Sequence, residues 1–418
     1  MMRDIKDSDP EIYKVMQSEL NRGRNGLEMI ASENYVSKAV LQATGSVLTN
    51  KYSEGYPYKR YYGGNEFVDI SEQLAIDRAK KLFEVDFANV QPHSGSSANM
   101  EAYYAVLNLG DDILAMKLDH GGHLTHGHTV NFSGKQYKFH AYGVDPETYR
   151  IDMEQVRKMA HETKPKLILA GFSAYSRELD FKQFKEIADE VDAILMADIA
   201  HIAGLIAAKE HPDPAPYCDI ITTTTHKTLR GPRGAIIMGK EEYATPINKA
   251  VFPGMQGGPL DHVIAAKAVA LHEAMQPEYV EYIKNVKANA KVLGETLVEN
   301  DVDVLSGGTD NHLLLIDITK YNIGGKIAER LLDTVGIFTN KNVIPFDKRT
   351  PFDPSGIRIG TPALTTRGLG TSEMKVIGEL IPRVLLNHES RDILVKVKEE
   401  VHEICERYPL YPNFDYLK

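Results

Sequence analysis

The stretch with the clearest capacity for chemistry is residues 222–234, which reads TTTTHKTLRGPRG and places Lys227 directly after His226. Four β-branched threonines favour a strand, and the glycines and proline that follow favour a turn before the next apolar run. Lys227 is therefore predicted at a strand end, in a loop between two strands. A free lysine is deprotonated in only about one molecule in 2,500 at pH 7, so attack on a carbonyl requires desolvation or nearby cations such as Arg230 and Arg233.

The same stretch has a simpler interpretation, a solvated basic turn with no chemical role. A lysine followed by threonine also closes a nucleotide-binding P-loop, but the G-x-x-x-x-G that must precede it is missing here. The choice between a nucleophile and a plain turn therefore depends on what the rest of the chain supplies.

A second chemical element is the Ser-Gly-Ser of residues 94–96, between a predicted strand at 88–91 and a predicted helix at 98–107. Free backbone N–H groups, two hydroxyls and the positive end of a helix dipole together can hold a phosphate. The alternative is that Ser94 or Ser96 serves only as the N-cap of the helix.

Residues 119–128 read DHGGHLTHGH and carry four histidines, which resemble a metal cluster. Their spacing matches no strong zinc pattern, and no thiolate or clustered carboxylate completes a ligand set, so we expect no metal here. We expect instead a glycine-rich loop, at the carboxyl end of a strand, that presents one imidazole face to a flat cofactor.

An aspartate, Asp198, ends the last strand of a predicted β-α-β unit, whose parts are strand 167–170, helix 181–191 and strand 193–197. In α/β folds, ligands bind at the carboxyl edge of the parallel sheet, and a carboxylate buried there requires a cation such as an arginine or a protonated pyridine nitrogen. Strand 219–225 delivers Lys227 to the same edge. A lysine, a phosphate site, an imidazole wall and an aspartate are together the groups that pyridoxal phosphate needs.

Composition narrows the class of protein. The 418 residues suggest two domains, and a net charge of -10 with a pI near 5.9 argues against nucleic-acid or anionic-membrane partners. The two cysteines, Cys218 and Cys405, are far apart and indicate neither a disulfide framework nor a thiolate zinc site. No apolar stretch of about 18 residues is present. We therefore expect a cytoplasmic protein that does not enter a membrane.

The elements that must position these groups follow from the chain order. Residues 1–28 predict an amphipathic helix that packs on a partner subunit or locally. After residue 277 the pattern changes to a charged helix and then to a smaller alternation of strands and helices. We predict an N-terminal arm plus a large cofactor-binding domain in residues 1–276, and a small C-terminal domain in residues 277–418.

Long motifs support a resemblance to one family. The chain resembles the serine hydroxymethyltransferase family, pyridoxal-phosphate enzymes of fold type I, which is the aspartate-aminotransferase-like fold. The resemblance implies an α/β protein with a mostly parallel sheet between helices and a smaller C-terminal α/β domain. The motifs that carry it are LEMIASEN, NKYSEGYP, RYYGG, NVQPHSGS, HGGHLTHG, DIAHIAGL, TTTTHKTLRGPRG, FPGMQGGP and SGIRIGTPALTTRG.

The resemblance implies cofactor contacts residue by residue. Lys227 would hold pyridoxal 5'-phosphate covalently as a Schiff base, Asp198 would pair with the pyridine nitrogen and His123 would stack on the ring. The remaining contacts that it implies are Ser94, Gly95, Ser96 and His226 at the phosphate, Gly257 and Gly258 at the phosphate from a partner subunit, and Ser173 and His201 near the phenolic oxygen.

It also implies substrate contacts and a homodimer whose subunits share their active sites. Arg358 would bind the substrate carboxylate in a two-pronged contact that lysine cannot reproduce. The other implied positions are Ser32 and Tyr62 beside Arg358, Tyr52 and Glu54 from the partner subunit, and Leu118, Gly122 and Asn342 in the pteridine pocket. The implied catalytic groups are Lys227, Glu54, His226, Tyr52 and Tyr62.

The implied activity is the reversible transfer of the serine hydroxymethyl carbon to tetrahydrofolate, which yields glycine and 5,10-methylenetetrahydrofolate. Two alternatives stay open: a folate-independent threonine or allo-threonine aldolase, and a histidine-rich metal-binding or structural oligomer with an inactive site. Three positions depart from the family pattern, namely Ser97, Asn65 and Ala235. Of these, Ser97 could loosen the phosphate site, since it directly follows Ser-Gly-Ser.

Overall fold

The computed structural model of the chain describes residues 3–414. Its strands are β1 (Leu27–Glu28), β2 (Gly55–Tyr56), β3 (Lys59–Arg60), β4 (Phe87–Asn89), β5 (Asp112–Met116), β6 (Lys138–Tyr142), β7 (Leu167–Gly171), β8 (Ile194–Asp198), β9 (Ile220–Thr224), β10 (Ala235–Gly239), β11 (Asp303–Val304), β12 (Leu313–Asp317), β13 (Ile337–Phe338), β14 (Asn340–Asn342) and β15 (Gly356–Gly360).

Helices lie between most of these strands. They are α1 (Ile5–Ser8), α2 (Pro10–Arg24), α3 (Lys38–Thr44), α4 (Glu66–Phe83), α5 (Gly95–Val106), α6 (Phe132–Gln136), α7 (Met153–Thr163), α8 (Phe181–Glu190), α9 (Ala203–Ala207), α10 (Ala244–Lys249), α11 (Asp261–Ala274), α12 (Pro277–Glu299), α13 (Gly325–Thr334), α14 (Pro362–Thr366), α15 (Thr371–Leu386) and α16 (Arg391–Arg407). Within residues 3–414, no helix has the length and apolar character needed to cross a membrane.

The larger sheet has seven strands in the order β4-β10-β9-β8-β7-β5-β6. Neighbours from β6 to β9 pair in parallel, whereas β10 runs antiparallel to both β9 and β4. Strands β7, β9 and β10 are buried at every position, as expected for a sheet covered by helices on both faces. The predicted mostly parallel α/β fold is confirmed.

The predicted β-α-β unit is also present, since β7 and β8 pair in parallel and α8 connects them. Helix α8 begins where Asp180 accepts a hydrogen bond from the backbone N–H of Gln183, and it buries Phe181, Phe184 and Ile187 on one face. In the parallel register, Asp198 at the end of β8 lies beside Thr222 of β9. The chain then leaves β9 and turns back into β10, so Lys227 lies in the predicted loop between two strands.

The smaller sheet has four antiparallel strands in the order β11-β12-β15-β14. Its core joins Leu27 and Met29, near the start of the chain, to apolar residues from Leu293 onward. Helix α12 belongs to both cores, because its first half packs against the large sheet and its second half against the small one. The domain boundary at residue 277 therefore stays a prediction. The first two residues of the predicted N-terminal arm and the last four of the predicted C-terminal domain lie outside the described residues.

Candidate active site

A cavity of about 550 Å³ opens at the carboxyl ends of β8 and β9, between the two sheets. This is the edge where α/β folds bind ligands. Most of the site residues predicted from the sequence line this one cavity. They are Ser32, Ser94, Gly95, Ser96, Leu118, Gly122, His123, Ser173, Asp198, His201, His226, Lys227, Asn342 and Arg358.

Lys227 is almost completely buried in the wall of this cavity, with 9% of its surface exposed. Burial lowers the pKa of its amine to about 8, with Arg358 and Arg233 adding to the shift and Asp198 opposing it. Burial therefore provides the desolvation that a nucleophilic lysine requires. An amine with this pKa is present in the unprotonated, nucleophilic form to a useful extent near neutral pH.

Asp198 lies in the wall of the same cavity as an ionised carboxylate. Its Oδ2 accepts hydrogen bonds from Asn99 Nδ2 at 2.8 Å and from His126 Nε2 at 3.1 Å, and its Oδ1 accepts one from the backbone N–H of Ala200. Burial alone would raise the pKa of Asp198, but hydrogen bonds from His126 and Asn99 hold that pKa below its usual value. The oxygens keep acceptor capacity for one further N–H donor, such as a protonated ring nitrogen.

His123 is held as a neutral imidazole. Burial lowers its pKa to about 4, and His126, Lys227 and Arg358 add to that shift. Its Nδ1 accepts a hydrogen bond from the backbone N–H of Thr125, which places the ring proton on Nε2. The sequence predicts that one imidazole of this loop forms a wall for a flat ring, and a neutral, desolvated imidazole suits that role.

The potential metal-ligand atoms of His123, His126 and Asp198 lie within 4.8 Å of one another. The sequence alone indicates no clustered carboxylate close to these histidines. Both ring nitrogens of His126 already have partners, since Nδ1 accepts from the backbone N–H of His123 and Nε2 donates to Asp198. His126 therefore connects the backbone of His123 to the Asp198 carboxylate and helps to orient the aspartate.

The Ser-Gly-Ser segment forms the start of α5. Ser94 is the N-cap, and its hydroxyl accepts from the backbone N–H of Ser97 and hydrogen-bonds to the Ser97 hydroxyl. A side chain at Gly95 would collide with Thr224, because an added Cβ would lie 2.7 Å from Thr224 Cγ2. The N-cap interpretation of Ser94 is therefore confirmed, and the role of this turn in binding a phosphate stays a prediction.

His226 lines the same cavity as this turn. Among the described residues, its buried Nδ1 has no hydrogen-bond partner. Burial lowers the pKa of its imidazole to about 3, with Arg233 and Lys227 contributing. A buried nitrogen without a partner is costly unless a ligand satisfies it, and an anionic oxygen beside Arg233 would do so.

Arg358 extends from β15 on the far side of the cavity. Neighbouring Ile357 and Ile359 face the small-sheet core, so the alternation of a strand turns Arg358 toward the cavity. Its guanidinium donates to Ser173 O at 2.5 Å, to Asn340 Oδ1 at 3.2 Å and to Ser32 Oγ at 3.4 Å. Burial lowers its pKa to about 10, and no carboxylate of the described residues pairs with it. It is a buried cation suited to an external carboxylate.

His201 also forms part of the cavity wall. Its ring stacks on that of His312, with centroids 5.5 Å apart, and the two are joined by a 3.3 Å contact between Nδ1 and Nε2. Burial lowers the pKa of both imidazoles, that of His312 to about 3. His201 is therefore a neutral, fixed ring at the cavity surface.

Five predicted site residues do not line the cavity of their own chain. They form one cluster on the exposed hairpin of β2 and β3 and the loop that packs on it: Tyr52, Glu54, Tyr62, Gly257 and Gly258. Tyr52 lies 4.9 Å from Tyr62 between ring centroids, and its hydroxyl is 3.4 Å from Glu54 Oε1. An added Cβ at either glycine would lie 3.2 Å from Glu54 or Tyr52. Tyr62, expected beside Arg358, thus groups with the residues expected from a partner subunit.

Several residues of the cavity were not predicted from the sequence. Lys341 adds positive charge to the wall, beside the predicted cation Arg233, and Glu33 adds a carboxylate. Asn99 and Thr125 support the wall from behind through hydrogen bonds. The one signal for Asn99 was its place as a polar residue between Ala98 and Ala102 in a predicted helix, which periodicity alone does not interpret.

These residues fit pyridoxal phosphate. The cavity combines a lysine whose pKa is lowered to about 8, an ionised aspartate, a neutral imidazole, a helix N-terminus and a His226 nitrogen that has no hydrogen-bond partner among the described residues. An α/β fold of this topology with such a site defines a pyridoxal-phosphate enzyme of fold type I.

Comparison with known protein families narrows this class. The family model described as Serine hydroxymethyltransferase matches residues 5–381 of the 418, and the chain belongs to that family. It is therefore a pyridoxal-phosphate-dependent enzyme of the glycine hydroxymethyltransferase type, with the cofactor bound covalently to a lysine and tetrahydrofolate as co-substrate.

Proposed function

We propose that the protein reversibly transfers the hydroxymethyl carbon of serine to tetrahydrofolate, yielding glycine and 5,10-methylenetetrahydrofolate, and that Lys227 is the lysine that holds the cofactor. The observation that carries this proposal is that Lys227, Asp198 and Arg358 face one cavity from three different strands or strand ends. A nucleophile, a ring-nitrogen partner and a carboxylate site are then within reach of one small amino acid. When bound, pyridoxal phosphate supplies an electron sink for the negative charge that develops on the substrate carbon.

The residues of the chain have separate tasks in this proposal. Asp198 would pair with the protonated pyridine nitrogen, since the low pKa of its own carboxyl keeps it ionised at neutral pH. His123 would stack on the ring from the cavity wall, and His201 would lie near its phenolic oxygen. The start of α5, with His226 and Arg233, binds the phosphate.

Arg358 binds and orients the substrate carboxylate. Its bonds to Ser173, Asn340 and Ser32 fix the guanidinium plane before a ligand arrives, so little side-chain entropy is lost on binding. Ser32 lies within reach of the same carboxylate. The substrate amino group then points toward Lys227 across the cavity.

Proton transfer at the serine hydroxyl falls to Glu54 in this proposal, with Tyr52 and Tyr62 beside it. The three side chains lie on an exposed hairpin and not in the cavity of their own chain. We therefore propose a homodimer in which the hairpin of one subunit completes the cavity of the other, together with Gly257 and Gly258. The exposed aromatic surface around the hairpin suits burial against a second copy.

The pteridine of tetrahydrofolate is assigned to the mouth of the cavity, at Leu118, Gly122 and Asn342. Leu118 is partly exposed and apolar, and Asn342 offers a side-chain amide. A Cβ at Gly122 would lie 2.2 Å from Met116 O, so only glycine allows the loop this close to β5.

The experiment that tests the function compares the cleavage of serine and of allo-threonine by the purified protein, with and without tetrahydrofolate. We expect serine cleavage to rise steeply with tetrahydrofolate, because the departing carbon then has an acceptor. An Asn342→Ala variant should lose much of that rise and keep allo-threonine cleavage. Serine cleavage that is indifferent to tetrahydrofolate in the unmodified protein would instead support a folate-independent aldolase and contradict the proposal.

A further inference from the structure

Asn99 lies behind the cavity wall, on α5, and is almost completely buried, with 1% of its surface exposed. It does not line the cavity. Its amide nitrogen donates to Asp198 Oδ2 at 2.8 Å and to Thr125 Oγ1 at 2.8 Å, and its amide oxygen accepts from Thr222 Oγ1 at 2.7 Å. One side chain therefore connects four separate elements of the site.

The orientation of this amide is determined by its partners. Asp198 is ionised and can only accept, so it must face the N–H₂ group and not the carbonyl oxygen. The Thr222 hydroxyl faces the opposite side of the amide and donates to it. A flipped amide would set its oxygen against the carboxylate and leave Asp198 with one donor fewer in a buried position.

The second N–H of Asn99 extends its influence to the imidazole wall. Thr125 Oγ1 accepts from Asn99, so its own hydrogen is free for His123 Nδ1, 2.7 Å away. The backbone N–H of Thr125 also points to that nitrogen, at 3.2 Å. His123 thereby has its proton on Nε2 and a fixed ring plane, and both properties depend on how Asn99 holds Thr125.

We propose that Asn99 is a positioning residue of the active site, which fixes Asp198 and His123 relative to each other through one amide. The proposal rests on the proposed function, because it takes from it the roles of Asp198 at the ring nitrogen and His123 at the ring face. Asn99 touches neither substrate nor cofactor. It acts by holding the acceptor at the edge of the ring and the wall at its face in one geometry, with Thr222 setting the direction of the amide.

The test uses two sets of variants of the full-length protein. Asn99→Ala removes the amide, whereas Thr222→Val keeps the shape of the threonine and removes only the hydroxyl that orients it. Thr222→Ser restores that hydroxyl. Thr223→Val is the matched control, since Thr223 is equally buried in β9 but donates to the backbone oxygen of Thr224, away from the Asn99 amide.

Three measurements separate positioning from general stability. The first is the dissociation constant for the binding of pyridoxal phosphate to the apo protein. The second is the visible circular dichroism of the bound cofactor, and the third is the 15N chemical shifts of the His123 ring in the apo protein. We expect Asn99→Ala to weaken cofactor binding by about tenfold or more, because the Asp198 carboxylate and the His123 ring must then be ordered at the expense of binding free energy. It should also alter the dichroism band and shift the His123 resonances toward mixed tautomers.

Thr222→Val should change all three readouts in the same direction by a smaller factor, Thr222→Ser should match the unmodified protein, and Thr223→Val should leave them unchanged. Unaltered cofactor affinity and spectra in Asn99→Ala would overturn the proposal. Equal effects of Thr222→Val and Thr223→Val would also overturn it. This second comparison tests the proposal even if Asn99→Ala does not fold. Asp198→Asn, measured in parallel, tests the proposed function itself: if it leaves cofactor binding unchanged, the assigned role of Asp198 fails, independently of Asn99.

Discussion

Asp198 and Lys227 face the same cavity from neighbouring parallel strands. Asp198 ends β8, and its register partner Thr222 belongs to β9, the strand that leads to Lys227. The carboxylate raises the pKa of the amine while burial lowers it, and burial prevails. The lysine is therefore reactive while the aspartate stays charged. These are opposite requirements, because burial disfavours the charged form of both groups, and both are met at one edge of the sheet.

Lys227→Ala should abolish turnover and leave pyridoxal phosphate bound only reversibly. Lys227→Arg keeps a positive charge but offers no nucleophile, so it should behave in the same way. The measurement is the protein-bound absorbance that survives gel filtration after borohydride reduction. Full multiple-turnover activity in either variant would remove Lys227 from the role assigned to it.

Replacing Lys227 should also stabilise the apo protein. The amine has a pKa of about 8 when folded against an ordinary value of 10.5, so the charged form is disfavoured by on the order of 3 kcal/mol in the folded state. Below pH 8 both states hold the proton and this cost is complete. As the pH rises from 8 to 10.5 the folded amine has lost a proton that the unfolded chain keeps, so folding becomes relatively more favourable.

Denaturant unfolding of apo Lys227→Met and of the unmodified apo protein at several pH values checks this expectation. The variant should be more stable at pH 7, and the difference should narrow steadily toward pH 10.5. Lys240→Met, at a half-buried surface lysine paired with Asp219, is a control that should show no such gain. A constant difference across this pH range would contradict the link to the amine.

Arg358→Ala should mainly weaken the binding of the amino-acid substrate, by about 2 kcal/mol or more, because it removes a charge-assisted contact to the carboxylate. Arg358→Lys should recover only part of this loss, since an ammonium cannot make the two-pronged contact. Spectroscopic titration with glycine measures the affinity directly. An unchanged affinity for glycine and serine in Arg358→Ala would exclude the residue from the substrate site.

The shared site can be tested by mixing inactive subunits. If Glu54 serves the cavity of its partner, a dimer of one Lys227→Ala and one Glu54→Gln subunit has one intact site. Random exchange in an equal mixture makes about half of the dimers hybrid, so about a quarter of the native activity should return.

A second mixture provides the control for that experiment. Lys227 and Arg358 line the same cavity of one chain, so Lys227→Ala mixed with Arg358→Ala creates no intact site and should stay inactive. Equal recovery in both mixtures, or recovery in neither, would contradict the assignment of Glu54 to the partner's cavity.

Local sequence patterns were sufficient to predict that Lys227 and Asp198 lie at the ends of strands. The four threonines and the glycine-rich turn around Lys227, and the abrupt end of a strand at Asp198, each depend on neighbours in the chain. Helix α12 (Pro277–Glu299) lies where a charged helix was predicted after residue 277.

The supporting residues could not be obtained in the same way. Asn99, Thr125 and Thr222 meet only because three elements pack together, and no spacing along the chain encodes their contact. The short distance between His123, His126 and Asp198 has the same origin. Lys341 likewise reaches the cavity from the small sheet, remote in sequence from Lys227.

Helix α12 has a consequence for how this enzyme can change over time. It packs into both hydrophobic cores, while Lys227 and Asp198 lie at the edge of the large sheet and Arg358 belongs to the small one. Under the proposed function, a substitution beside Arg358 on β15 would alter selectivity for the amino acid alone, whereas a substitution in α12 would move both walls of the cavity together.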